Sequence, residues 1–264
     1  MRFFVIIFTT FLFACVGFDT NHISKSNTDA SINNTFEDND ANVELRDSST
    51  TNITNDAGSK PKFVFEKSTK SPTFFDDFER PNNSVIGNGW TEKTDTFSLL
   101  NGGVLLDTQG GPADRVVRRT SGALDTEISG VVTIASAFNE ISLFSRMQPD
   151  EVGNLVGYRA WFATTKMQIE LRIKTSNGTG LYELGQVAIF PSLVVGSSYT
   201  FYMRTSGTDL VIVETGIFSI DEKEVQSLRG QDSSAYRILQ AGQVGFGHRE
   251  ANENRWESFS MVEL

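Results

Sequence analysis

The chain has 264 residues, with 23 Lys and Arg against 33 Asp and Glu, for a net charge of −10. That balance disfavours a general nucleic-acid binder, which needs a basic face to neutralise phosphates. A single cysteine excludes an intrachain disulfide framework and a cysteine-rich zinc site, and two histidines, His22 and His248, exclude a multi-histidine metal centre. Residues 1–14, MRFFVIIFTTFLFA, carry one charge, Arg2, and the next charge is Asp19. A spanning helix needs about 20 apolar residues, so this run is predicted to be a signal-peptide hydrophobic region. From Asp19 to Lys60, Asn, Asp, Ser and Thr make up 26 of 42 residues, and Phe36 is the sole aromatic. Such a stretch buries too little apolar area to offset its ordering entropy. Residues 15–72 are therefore predicted to be a flexible tether. The alternative is a short folded segment around Phe63-Val64-Phe65 that adds an edge strand.

From residue 73 to 264 the pattern changes to short apolar alternations broken by Gly, Asn, Asp and Ser. Met167 to Lys174 alternates without error over eight positions, which marks a strand with one buried face. Tyr199–Arg204 does the same. Further strands are predicted at Ile128–Ile134, Glu140–Met147, Leu155–Phe162, Leu210–Val213, Val244–His248 and Trp256–Val262. Turn signals separate them, such as Asn101-Gly102-Gly103 and Ser206-Gly207-Thr208. Ser233–Leu239 is predicted to be a loop or a single turn. Many short antiparallel strands at this spacing imply a sandwich or barrel.

Two resemblances sharpen this outline. Leu12-Phe13-Ala14-Cys15 resembles a bacterial lipobox. The resemblance implies cleavage before Cys15, a lipid on its thiol and a membrane as partner. Each buried methylene of the acyl chains adds about 0.8 kcal/mol to that attachment. The residue after the cysteine is Val16 rather than the Asp associated with inner-membrane retention, which favours the outer membrane or cell surface. The competing reading is an ordinary secretory signal with Cys15 as a bystander. The second resemblance begins at Phe75-Asp76-Asp77-Phe78-Glu79-Arg80-Pro81 and Gly87-Asn88-Gly89-Trp90. It continues through Phe97–Leu105, through Leu143–Arg146 with Gly157–Ala160, and through Ala241–Gly247 with Trp256–Phe259. In that order these segments resemble a bacterial secreted concanavalin A-like (laminin G-like) jelly-roll domain. The resemblance implies an all-β sandwich of two antiparallel sheets over residues 73–264. This fold hosts lectins, glycosidases and adhesion modules, so it specifies architecture more than activity.

The residues were then read for chemistry. Glycan-cleaving members of that superfamily carry E-x-D-x-E or E-x-D-x-x-E on one strand, because two carboxyls must flank the glycosidic bond. The pattern is missing. The nearest run, Asp221-Glu222-Lys223-Glu224, lacks a third acid and reads as a solvated hairpin. No G-x-S-x-G, P-loop or H-E-x-x-H occurs. His248 is predicted to be structural rather than a base. No catalytic residue is assigned.

A binding face is easier to build. If Tyr158, Ala160 and Phe162 face the core, Arg159 and Trp161 face outward. By the same parity Tyr202 and Arg204 point outward on another strand, and Gln168, Glu170 and Arg172 lie on a polar face. A flat ring for the C–H face of a sugar, with fork-like partners for its hydroxyls, is what a glycan site needs. The bland alternative is an ordinary mixed outer sheet face. Arg146 belongs either to that face or to an inter-sheet salt bridge. A structural calcium is expected at Asp76 or Asp77 with Glu257 if the first and last strands pair, the alternative being acids that solvate an edge strand. The resulting expectation is a lipid-anchored surface protein with a non-catalytic glycan- or polymer-binding sandwich. The runners-up are a glycan-active hydrolase of the same fold and a structural or protein-interaction lipoprotein.

Overall fold

A computed structural model describes residues 62–92, 97–106, 114–135, 140–148, 156–175, 178–249 and 254–264. The predicted signal region, Cys15 and the predicted tether through residue 61 lie outside the described residues. Among the described residues the strands form two antiparallel sheets. One runs β13 (Glu224–Asp232), β12 (Val211–Ser219), β11 (Ser198–Ser206), β6 (Thr126–Thr133), β15 (Arg255–Glu263), β4 (Val104–Leu106) and β3 (Phe97–Leu99). The short β1 (Phe74–Asp76) also pairs with β15. The other runs β10 (Gly178–Ala188), β9 (Lys166–Thr175), β8 (Val156–Phe162), β7 (Glu140–Gln148), β14 (Gln243–Arg249), β5 (Asp114–Thr120) and β2 (Thr91–Glu92). This is the all-β jelly-roll sandwich of two antiparallel sheets expected from the motif order.

The inward rows are the apolar positions of the alternating segments. Tyr158, Ala160 and Phe162 of β8 and Met167, Ile169 and Leu171 of β9 face Ile128, Phe201, Met203 and Val213 across the core. Phe162 and Phe201 meet between the sheets with ring centroids 4.8 Å apart. Gly130 is the gap in the β6 row that Trp256 fills, since a Cβ there would lie 2.4 Å from the indole. The Asn101-Gly102 hairpin joining β3 and β4 needs positive φ at both residues, 52° and 73°. The pattern reading missed the short strands β1–β4, β5 and two long strands, β10 and β13. β10 carries glycines at 178, 180 and 185, and a bulge between Glu183 and Gly185 resets its alternation. β13 is broken by Ser227 and Gly230. Residues 233–242 form an irregular connection rather than a helix.

The opening motif is organised around one carboxylate. Asp76 is buried and accepts from Arg80 Nη1 at 2.6 Å and Nη2 at 3.1 Å, Trp90 Nε1 at 2.8 Å, Asn88 Nδ2 at 3.0 Å and the Phe78 amide at 2.9 Å. Burial pushes this carboxyl up, but the four donor groups outweigh burial and hold it below its ordinary value. The network aims Phe78 and Trp90 into the core, where Trp90 meets Phe246 and Phe259 edge-on at 5.1 and 5.0 Å.

Arg146 is a second hub. The strand bulges there with a φ of 49°, a left-handed value that is uncommon for a non-glycine residue. The bulge turns the side chain away from the outer face of its neighbours and into the end of the sandwich. It donates to Leu124 O, Ile238 O, Gly207 O and Asp125 Oδ1 at 2.7–3.1 Å. Of the two placements weighed for Arg146, the ion pair is the one observed.

Residues 62–70 correct the tether boundary at 72. They lie as a strap across the outer face of the sheet that contains β11–β13. Phe65 is buried between Tyr202 and Phe218, above Gly216, where a Cβ would lie 2.9 Å from Phe65 Cβ. The Phe65 amide donates to Glu224, the Ser68 amide donates to Glu127, and Ser227 Oγ donates to Phe63 O. Lys62 pairs with Glu224 and Lys67 with Glu222. The segment carries no strand of its own, so it docks by side chains rather than by adding a strand.

Two outcomes follow from these contacts. Asp76→Asn removes the charge and replaces one of the two acceptor oxygens by an NH2 that cannot accept from Arg80 or Trp90, so urea unfolding is expected to show a loss of about 3 kcal/mol. A loss under about 1 kcal/mol contradicts the hub. Because the folded-state value is depressed, the stability this carboxylate adds is present above the unfolded value of about 3.9 and fades as pH falls through the folded value. The Asn variant loses that acid-side slope. For the strap, Phe65→Ala is expected to raise the rate of tryptic cutting at Lys62–Lys70 about 10- to 100-fold while the sandwich melts at nearly the wild-type temperature. An equal effect on both would mean that strap and sandwich unfold together.

Candidate functional site

The outer face of the β10–β9–β8–β7 sheet carries the densest set of sequence-predicted residues. With Tyr158, Ala160 and Phe162 in the core, Arg159 and Trp161 point outward. Register lines up Ser142, Trp161, Gln168 and Gln186 in one cross-strand row. The next row holds Phe144, Arg159, Glu170 and Glu183, and the next Gly157, Arg172 and Leu181.

Within these rows Arg159 is a support. It is buried, donating to Glu170 Oε1 at 2.9 Å, Ser142 Oγ at 2.9 Å and Glu140 Oε2 at 3.3 Å. Ser142, Phe144 and Glu170 are buried as well, although their strands turn them outward. The accessible part of the face is its margin. Trp161 is half-buried, with Lys166 Nζ 5.0 Å from the indole centroid. A depression of about 410 Å³ opens there, lined by Thr165, Lys166, Gln186, Val187 and Ala188. Gln168 stands beside Trp161 and Gln186 beside Gln168. An apolar ring with two amides and a cation can stack on a pyranose face and exchange hydrogen bonds with its hydroxyls.

Tyr202 and Arg204 do not join this group. They point outward from β11, on the opposite side of the molecule, beneath the strap. Tyr202 packs on Phe65 and Phe218. Burial first, then Glu127, raises its phenol. Arg204 pairs with Glu127 and Glu214 and donates to Glu66 O. Parity tells which side of a strand a residue takes, not which of two sheets the strand enters. That is why two real outward faces were merged into one. Lys166 and Gln186 were missed. Gln168 lay on the error-free strand and was readable by parity, whereas Gln186 sits on unrecognised β10.

The calcium set does not fit. Both Asp76 oxygens are filled by Arg80, Asn88 and Trp90. Asp77 is exposed and caps the Glu79 amide at 3.0 Å, and Glu257 accepts from Thr133 Oγ1. Among the described residues no three His, Cys, Asp or Glu side chains gather to hold a metal. His248 is fully buried, accepts Trp256 Nε1–H at 2.9 Å on Nε2, and is pushed down by burial to about 3. It is therefore a neutral structural residue, as expected. Glu222 and Glu224 sit at the β12–β13 hairpin and hold the strap.

No known protein family and no curated protein matches the chain. Solved structures similar to it include a CBM2 module of the evolved Dit protein of Lactobacillus casei BL23 phage J-1. That match has 10% identity and a TM-score of 0.49, covering 72% of this chain and 94% of that one. A protein of unknown function from Shewanella oneidensis MR-1 is 14% identical with a TM-score of 0.47, covering 75% and 89%. The exoplasmic/lumenal domain of VIP36 in its Ca²⁺/Man3GlcNAc-bound form is 12% identical with a TM-score of 0.45, covering 66% and 83%.

Proposed function

We propose that this chain is a membrane-anchored surface lipoprotein whose sandwich binds a polysaccharide through the Trp161 margin without cleaving it. One observation carries the binding part: a half-buried indole beside Lys166, in register with Gln168 and Gln186, next to a depression lined by Lys166 and Gln186. The Arg159 network beneath it supports the reading. A buried ion pair with Glu170 and a part-buried one with Glu140 stiffen the sheet in the row next to the ring, so stacking costs little reordering. Anchoring rests on the short apolar leader and on Cys15, the chain's only cysteine, directly after Leu12-Phe13-Ala14. The leader points to export, and Val16 favours the outer membrane or cell surface.

Trp161→Ala is expected to weaken retention by soluble polysaccharides such as xylan, β-glucan or galactomannan about 10- to 100-fold, with melting nearly unchanged. A core-like loss of stability, or wild-type retention by a glycan the parent binds, removes Trp161 from the site. For the anchor, Cys15→Ser is expected to move the protein from the detergent to the aqueous phase and to leave the domain folded. If the variant partitions like wild type with an unshifted mass, Cys15 is not lipidated.

A further inference from the structure

A second flat ring surface stands on the edge strand β10, away from Trp161. Tyr182 of β10 and Tyr236 of the β13–β14 connection stack with centroids 5.5 Å apart and planes 25° from parallel. Both rings are open to solvent, at 41% and 56% exposure. An aromatic pair left this exposed on a free loop would be expected to fold down onto neighbouring apolar surface. Here the loop is fastened from below. Ser234 N donates to Asp232 at 2.9 Å, and Tyr158 Oη donates to the other oxygen of Asp232 at 2.8 Å. Ile238 N donates to Tyr158 Oη at 3.2 Å, and Ile238 O accepts from Arg146 at 2.7 Å. Arg237 donates to the carbonyls of Thr208, Ser233 and Ser234. Two buried hubs and a surface arginine thus hold Tyr236 in place.

The chemistry of the loop narrows the ligand. Residues 233–241 read SSAYRILQA, and their single charge, Arg237, is spent on backbone carbonyls. A phosphate or an acidic peptide needs an available cation, which this loop does not offer. Among the described residues, no hydrogen bond engages the hydroxyl of either tyrosine. The surface therefore presents an apolar ring face with free hydroxyls and uncharged Ser and Gln neighbours, the complement of a neutral pyranose.

We infer that Tyr182 and Tyr236 form a second carbohydrate contact for neutral hexose units. The inference rests on the glycan-binding reading above and adds a site to it. Tyr182 pairs with core-facing Leu171 and Gln186 with outward Gln168, because the bulge between Glu183 and Gly185 switches the face. The two surfaces thus lie on opposite faces of edge strand β10, so one sugar cannot touch both, whereas a polysaccharide that passes around the sheet edge can engage both and gain affinity from the linkage.

The experiment uses the full chain and affinity gel electrophoresis against xylan, β-glucan, galactomannan and glucomannan, with xylotriose, cellotriose and mannotriose as short probes. Tyr236→Ala is expected to reduce retardation by the retained polysaccharide at least 10-fold with an unchanged melting temperature. Tyr236→Trp is expected to keep it, and Trp161→Ala with Tyr236→Ala to abolish it. Trisaccharide binding lost in Trp161→Ala should persist in Tyr236→Ala. If Tyr236→Ala behaves as wild type while Trp161→Ala weakens binding, the platform is overturned and the Trp161 reading stands. If only Tyr236→Ala weakens binding, the platform stands and the Trp161 reading falls. If the parent is retarded by none of these polymers, both fall. Unchanged glycan binding with altered self-association of Tyr236→Ala in sedimentation also overturns the proposal and assigns the rings to a protein contact.

Discussion

A single buried cation sets the geometry of one end of the sandwich. Arg146 carries a permanent charge into a region with almost no solvent, where an unpaired charge costs several kcal/mol. It is tolerated because four hydrogen bonds receive it, three from carbonyls of separate connections and one from Asp125. The connections cannot drift without stranding that charge. This accounts for the positive φ at Arg146: the backbone accepts local strain so that the guanidinium reaches the centre of the loops. The β13–β14 loop, and with it Tyr236, inherits its position from this one side chain and from Tyr158.

Much of the sandwich was legible because one buried face imposes a two-residue period. The strands at 167–174 and 199–204 show it cleanly, and both appear where predicted. β10 was not legible. Its glycines carry no side chain to mark a face, and its bulge inverts parity midway. Tyr182 was lost with it, and Tyr236 sits in a loop with no period to read. Trp161 was correctly placed outward, but Tyr202 shares only its parity, not its sheet. Asp76 and Asp77 looked equivalent in sequence. Their difference lies in donors at Arg80, Asn88 and Trp90, which the chain brings back only after a turn.

The two outer faces divide the work of the molecule. One is closed by the strap, whose lysines meet Glu222 and Glu224 and whose Phe65 fills a slot that Gly216 leaves open. The other holds a buried Arg159 network with an indole at its margin. The aromatic-plus-arginine composition read from sequence is therefore present on both, and only the contacts distinguish packing from display. Tyr202 and Arg204 serve attachment of the chain's own segment.

The Asp76 cluster has a consequence for how such a sequence can change over time. Arg80, Asn88 and Trp90 all terminate on one carboxylate, so replacing any one alone leaves a buried polar group short of a partner. Each single step passes through a less stable protein, while exchange of the whole group for an apolar one need not. Drift at these positions is therefore coupled, and the cluster is inherited or discarded as a block.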